Sequence, residues 1–427
     1  MKKINIEKIK KAKHNFGDFI KTTPLEYSKR LSKEYNANIY LKREDLQAVR
    51  SYKVRGAFNL INNLTEKQQK SGVVCASAGN HAQGVAITCE HLKINGTVFM
   101  PVTTPEQKVY KTKQFGGKYV TVILVGDTFD EALKNALKFK KETGASFIHP
   151  FDDEKIIEGQ STVGLEIFEQ FEDYSLKSKS NGELDYIIAP IGGGGFISGI
   201  ISAKNALNKK TKIIGAEPSG ACGMKKSLEA GKNISLDTIE IFVDGAAVKR
   251  EGDKTFEICN EEQIEIISCP ENRVCTTILD YLKEDGIVVE PAGALSTDAL
   301  KDINLKVEKG EKKKNIVVVI SGGNFDFERL PELKERSLKY EGLKKYFIVS
   351  FPQRPGALKE FLLVLGEGDD IERFEYLKKS AKNTAPVFIG LKTNNKNNWN
   401  KIEKNMKKLG FKYKDVTNDD LYFDLLI

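Results

Sequence analysis

Lys53 stands at the predicted start of a helix, within Ser51-Tyr52-Lys53-Val54-Arg55-Gly56-Ala57. That end of a helix already carries partial positive charge, so an ammonium there is unfavourable and an acidic side chain would serve the fold better. Read alone, Lys53 is a solvated lysine in a lysine-rich chain. Three further stretches change that reading. Gly192-Gly193-Gly194-Gly195 lies between a predicted buried strand, Asp185–Pro190, and a helix that begins at Phe196. Each glycine costs up to about 1 kcal/mol of backbone entropy unless something requires it. A run of free N–H groups at a helix start can cradle a phosphate. No Lys-Ser/Thr follows, and the spacing is not the dinucleotide fingerprint, so neither common phosphate motif applies. Asn80 lies in Ser77-Ala78-Gly79-Asn80-His81-Ala82-Gln83-Gly84, a small-residue turn after the strand Val73–Ala76. Ser77, Ala78 and Gly79 there would leave backbone N–H groups open to a ligand carboxylate. Ser321 ends the strand Asn315–Ile320, before Gly322-Gly323-Asn324.

Ligands of parallel α/β sheets bind at the carboxyl edge of the strands, where these four stretches should meet. Together they answer the needs of one molecule. An aldehyde takes an amine, a phenolic oxygen an amide donor, a phosphate a run of N–H groups, and a pyridine nitrogen a hydroxyl. That molecule is pyridoxal 5′-phosphate.

The elements that must position these residues follow from periodicity. A helix is predicted over residues 4–20 and a strand over Asn38–Lys42. Strands at Val73–Ala76, Thr97–Pro101, Val120–Val125, Asp185–Pro190, Lys212–Glu217 and Asn315–Ile320 alternate with helices, which indicates an open parallel α/β sheet. From Glu332 to Leu343 the composition turns charged. Beyond it the order is strand 346–351, helix 356–365, strands 371–378 and 385–393, helix 398–409 and strand 411–416. That β-α-β-β-α-β succession is ferredoxin-like. The expected division is a catalytic region over 1–335, a linker over 336–344 and a C-terminal domain over 345–427.

At 427 residues, 40% hydrophobic and 30% charged, the chain suits two or three soluble domains. Its net charge of +8 is interleaved along the sequence, without the aromatic-studded basic block that would point to nucleic acid. Six cysteines without a CxxC pair and four histidines leave little for a metal site, so no metal is expected and the thiols are read as reduced. Cys269 and Cys275 are the pair that could meet a bound ion or each other. The N-terminus has no apolar signal core, and the longest aliphatic run, Ile316 to Ile320, is a strand, so a cytoplasmic protein without a membrane partner is expected.

The Lys53 stretch resembles the lysine signature of the serine/threonine dehydratases, with Tyr52 where that family usually has Phe. The Asn80 turn, Gly192–Gly195 and Ser321–Asn324 match the family's other landmarks in the same order, over about residues 5–330. Phe351-Pro352-Gln353-Arg354-Pro355-Gly356-Ala357-Leu358 resembles the ACT-like regulatory domain of the biosynthetic threonine dehydratases, and there is room for one such unit. The resemblance implies fold type II, with two open twisted α/β subdomains like the tryptophan synthase β chain, plus a ferredoxin-like α+β domain. It implies that Lys53 carries the cofactor and acts as general base. Asn80, Gly192, Gly193, Gly194, Gly195, Phe196 and Ser321 would hold the cofactor, and Ser77, Ala78, Gly79 and Asn80 the substrate carboxylate. The implied reaction converts L-threonine to 2-oxobutanoate and ammonia, the β-hydroxyl leaving with a proton relayed by the cofactor phosphate. Isoleucine would be the effector and a homotetramer the assembly. A hydroxyl at Ser321 cannot keep a pyridine nitrogen protonated as a carboxylate would, which favours prompt elimination over a long-lived carbanion.

Serine dehydratase or serine racemase of the same fold remains the alternative enzyme, and an amino-acid sensor without activity the non-enzymatic one. The feedback domain argues against the first, the intact lysine and glycine run against the second. Glu290-Pro291-Ala292-Gly293 either lines the substrate side or caps a helix. Arg55 either orders the lysine turn or pairs with Glu44 or Asp45. His81 reads as a turn residue, and Asp244-Gly245 carries no assigned role.

Overall fold

The strands are short runs rich in Val and Ile, and the computed structural model gathers them into three sheets. It describes residues 4–178, 182–305, 312–376, 383–419 and 421–422. The chain divides into two units, one running up to Glu271 and resuming over Tyr281–Phe325, the other made of Asn272–Asp280 and the chain from Asp326 onward.

The first unit holds two sheets, where strand-helix alternation alone leaves the grouping of strands open. Val120–Leu124, Gly96–Met100, Val73–Ala76 and Ser146–Phe147 lie side by side, all parallel. The second sheet has the order Leu25–Tyr27, Asn38–Arg43, Asn315–Ile320, Tyr186–Pro190, Lys212–Pro218 and Glu265–Cys269, parallel except for its first strand. Asn315–Ile320 sits between two parallel neighbours and is buried from Ile316 onward, as expected of a strand covered on both faces. The Asn80 turn therefore follows a strand of the first sheet, while Gly192–Gly195 and Ser321 follow strands of the second. The site is built between two carboxyl edges, not along one.

Helix Lys53–Asn62 is buried from Val54 to Ile61. It packs on the long helix Glu154–Ser178 at Gly159, where a Cβ would stand 2.6 Å from the Arg55 carbonyl oxygen. Arg55 itself is fully buried and resolves the choice left open by the sequence. Its guanidinium donates to Glu44 Oε1 at 2.8 Å and to Glu166 Oε1 at 2.6 Å, while Asp45 pairs with Arg43 at 2.8 Å. Lys42, also buried, reaches Glu166 at 2.7 Å. Two cations and two carboxylates thus neutralise each other beneath the lysine turn.

In the C-terminal unit, strands Asp369–Tyr376, Thr384–Thr393, Lys344–Pro352 and Lys412–Asp415 form an antiparallel sheet in that order, with helices Ala357–Leu362 and Asn398–Lys408. Residues 377–378 of the predicted strand lie outside the described residues. Phe347, Phe361, Ile389 and Met406 are fully buried in its core. Asn272–Asp280 belongs to this unit through bonds that sequence spacing does not reveal. Arg336 Nη1 donates to Asn272 Oδ1 at 3.2 Å, and the Thr276 and Ser337 hydroxyls are 3.0 Å apart. Among the described residues no helix is long and apolar enough to cross a membrane.

Candidate active site

Lys53 is the first residue of its helix, and its Nζ donates to the Pro150 carbonyl at 3.0 Å. Among the described residues it has no carboxylate within ion-pair distance. Burial pushes its pKa down to about 8, with the Glu290 carboxylate offsetting part of that fall. A neutral amine is the nucleophilic form. Capture of pyridoxal phosphate by the apoprotein should therefore speed up with pH and level off above about 8, falling about tenfold per unit below it. The rate at which the cofactor's absorbance shifts on mixing checks this. A plateau reached only above pH 10 would mean that Lys53 keeps an ordinary amine.

The glycine run is shaped for close approach. Gly194 adopts φ +86°, a conformation that disfavours a side chain, and a Cβ on it would stand 2.7 Å from Thr255 Oγ1. A Cβ on Gly193 would enter the Phe151 ring at 2.3 Å. Among the described residues the N–H groups of Gly192 to Gly195 have no hydrogen-bond acceptor, and the helix Gly195–Ala206 begins there. This is an anion cradle, and it fits the phosphate of pyridoxal phosphate.

Loop 149–152 links the cradle to the lysine. His149 Nδ1 accepts from the backbone N–H of Phe151 at 3.2 Å and of Asp152 at 2.8 Å. That turn presents the Pro150 carbonyl to Lys53 and the Phe151 ring to the glycines. The Asp152 carboxylate accepts from the N–H groups of Asp253 at 3.1 Å and Lys254 at 3.0 Å, which anchors the loop. A second link runs through Tyr52, whose ring centroid lies 4.1 Å from that of Phe196.

Ser321 and Asn80 come to the same place. The Tyr52 N–H donates to the Ser321 carbonyl at 3.2 Å, and Ser51 bridges to Gly322. The Ser321 hydroxyl donates to the Ala292 carbonyl at 3.3 Å and would have to rotate to offer its proton to a pyridine nitrogen. Helix Asn80–Leu92 packs against the lysine turn at Gly84, where a Cβ would stand 3.1 Å from the Lys53 carbonyl carbon. Asn80 Nδ2 donates to Glu290 Oε1 at 2.6 Å. In the Ser77–Asn80 turn the Ser77 N–H is committed to Phe99 O at 3.1 Å and the Gly79 N–H to Ser77 Oγ at 3.3 Å. The N–H groups of Ala78 and Asn80 have no partner among the described residues, so only part of the expected carboxylate cradle is open.

The undecided residues find places. Glu290 precedes helix Pro291–Asp298 but caps nothing with its side chain, which faces Asn80 instead. Burial, then the charge of Asp244, raises its pKa to about 7. Asp244 pairs with Lys108 at 2.5 Å. His81, in helix Asn80–Leu92 and not in a turn, bonds Ile148 O at 2.9 Å, and burial holds its pKa down to about 3, so it stays neutral. Sequence reasoning missed Pro150, Phe151 and Asp152. The run His149-Pro150-Phe151-Asp152-Asp153, with a proline and two carboxylates beside one of the chain's four histidines, was the available signal. Among the described residues no three His, Cys, Asp or Glu converge as a metal site, and all six cysteines are free thiols.

Residues 17–322 match the family described as pyridoxal-phosphate dependent enzyme, and residues 335–426 match the C-terminal regulatory domain of threonine dehydratase. The chain is 48% identical over 428 residues to L-threonine dehydratase biosynthetic IlvA of Halalkalibacterium halodurans, covering 100% of both. It is 47% identical to the protein of that name in Bacillus subtilis, covering 99% of this chain and 98% of that one. Among solved structures, the processed form of threonine deaminase isoform 2 from Solanum lycopersicum matches with TM-score 0.69 and 34% identity, over 78% of this chain and 95% of that one. Maize serine racemase matches with TM-score 0.69 and 30% identity, over 79% and 98%.

Proposed function

This chain belongs to the pyridoxal-phosphate-dependent enzymes of fold type II and, within them, to the biosynthetic threonine dehydratases, and from that premise we propose that it deaminates L-threonine to 2-oxobutanoate and ammonia under feedback by isoleucine. The observation that carries the reading is the meeting of a half-buried, carboxylate-free amine with a run of unpaired glycine N–H groups, joined through Pro150 and Phe151.

Lys53 would carry the cofactor. Gly192–Gly195 and Phe196 would hold its phosphate end, Asn80 its phenolic oxygen and Ser321 its ring nitrogen. Bound pyridoxal phosphate supplies an aldehyde for the substrate amine and a ring that delocalises charge from Cα. The Ser77–Asn80 turn would take the substrate carboxylate through the N–H groups of Ala78 and Asn80. Lys53, its pKa lowered to about 8, is matched to accept the Cα proton near neutral pH. His81, its pKa held down to about 3 by burial, is too weak a base to compete for that proton. The enzyme would work in the cytoplasm, as a homotetramer, at the first step of isoleucine synthesis.

The test is 2-oxobutanoate formation from threonine by the full chain, with and without isoleucine. Threonine should be turned over with a higher kcat/KM than serine, and isoleucine should lower the rate. A preference for serine, or racemisation of serine without net elimination, would transfer the chain to the serine enzymes of this fold. An unchanged rate in saturating isoleucine would remove the proposed effector.

A further inference from the structure

Asn324 closes a chain of side-chain bonds that the proposed reaction does not use. Its Nδ2 donates to the Val49 carbonyl at 2.8 Å and to Asn80 Oδ1 at 2.7 Å, with Gln83 Oε1 sharing one of these two N–H groups at 3.2 Å. A backbone carbonyl can only accept, so the Val49 contact fixes which end of the Asn324 amide is the NH₂ group. Asn80 must then accept with its oxygen and turn its own NH₂ the other way. There it meets Glu290, also an acceptor, at 2.6 Å. The Asn324 end of the Asn80 amide is set by a group whose role the Val49 carbonyl fixes, and at the other end Glu290 accepts in its carboxylate form. One N–H of Asn80 goes to Glu290, and the other has no partner among the described residues. Asn80 and Asn324 are both half-buried, and the helix that Asn80 opens packs against the lysine turn at Gly84.

We propose that Asn324 is a positioning residue that holds the Asn80 amide in the one orientation presenting N–H, rather than C=O, to the cofactor's phenolic oxygen. The inference rests on the pyridoxal phosphate reading above. A flipped amide would place a carbonyl against an oxygen that carries negative charge in the reactive form. It would favour the neutral, O-protonated form and weaken binding. Asn324 does this without touching the cofactor, and Glu290 backs the orientation from the opposite side.

Asn324→Asp keeps the shape and removes the donor, while Asn324→Ala removes the amide without adding charge. Each is made in the full chain, alone and with Asn80→Ala, and titrated with pyridoxal phosphate by absorbance. The wild type should form the long-wavelength band of a lysine-bound cofactor; failure at this stage would overturn the cofactor reading before any substitution is compared. Asn324→Asp should raise the cofactor Kd about tenfold or more and shift intensity into the short-wavelength, O-protonated band. Asn324→Ala should shift both in the same direction by less. With Asn80 already replaced, either substitution should change Kd and band ratio less than about twofold, because the partner it acts through is gone. The proposal falls if both variants keep the wild-type Kd and band ratio, or if the full effect persists when Asn80 is alanine. If Asn324→Asp does not fold, the Ala variant and its Asn80→Ala partner decide alone.

Discussion

Lys53→Ala should lower 2-oxobutanoate formation from threonine by about four orders of magnitude and abolish the long-wavelength absorbance of the loaded enzyme. The reason is local. The amine that binds the cofactor and the base that takes the Cα proton are the same group, and the neighbourhood offers no substitute. Burial holds the His81 pKa down to about 3, too weak a base, and the buried Glu290 carboxyl is engaged by Asn80. The variant should fold at least as well as the parent. A half-buried amine with its pKa lowered to about 8 means that folding disfavours the charged form, so the ammonium is a burden on the apoprotein below that pH and the burden lifts as pH rises toward 10.5. Thermal melts of both apoproteins at pH 7 check this. A less stable variant with residual activity above a hundredth of the parent's would contradict the assignment.

Arg55→Ala should cost about 3–5 kcal/mol of unfolding free energy, read by equilibrium urea titration of the apoprotein. Arg55 is the hub of the buried charge cluster under the lysine turn. Removing it leaves Glu44, fully buried, without a cation partner, and leaves Glu166 with Lys42 alone. Thr23 Oγ1 still donates to Glu44 Oε1 at 2.5 Å, which limits the damage without neutralising the charge. Arg55→Lys should recover little, because a single ammonium cannot reach both carboxylates and the Thr162 hydroxyl as the guanidinium fork does. A loss below about 1 kcal/mol for Arg55→Ala would show that the cluster relaxes into water and is not the platform described here.

What could be read from the sequence was what local backbone chemistry demands. Lys53 stood out because a helix N-terminus repels it, and the glycine run because entropy opposes it without a ligand. Asn80 and Ser321 stood out because small-residue turns follow their strands. The ferredoxin-like succession was legible because each of its strands and helices carries its own periodicity. The rest depends on partners far apart in the chain. Asn38–Arg43 pairs with Asn315–Ile320, and nothing in either segment announces the other. Ser146–Phe147 has two residues, too few for a pattern, yet it seats the loop that carries Pro150 and Phe151. Glu290 was undecided because capping and lining differ only by a rotamer. Arg55 reached beyond nearby Glu44 to Glu166 on another helix, a partner that no local window contains.

The central claim is that Lys53, and no other of this chain's many lysines, is the amine that carries the cofactor. Borohydride reduction of the pyridoxal-phosphate-loaded enzyme, followed by peptide mass mapping, tests it most directly. The account predicts one stoichiometric pyridoxyl adduct, on the peptide containing Ser51-Tyr52-Lys53-Val54-Arg55 and at Lys53. A stoichiometric adduct on any other lysine, or none at saturating cofactor, would contradict it.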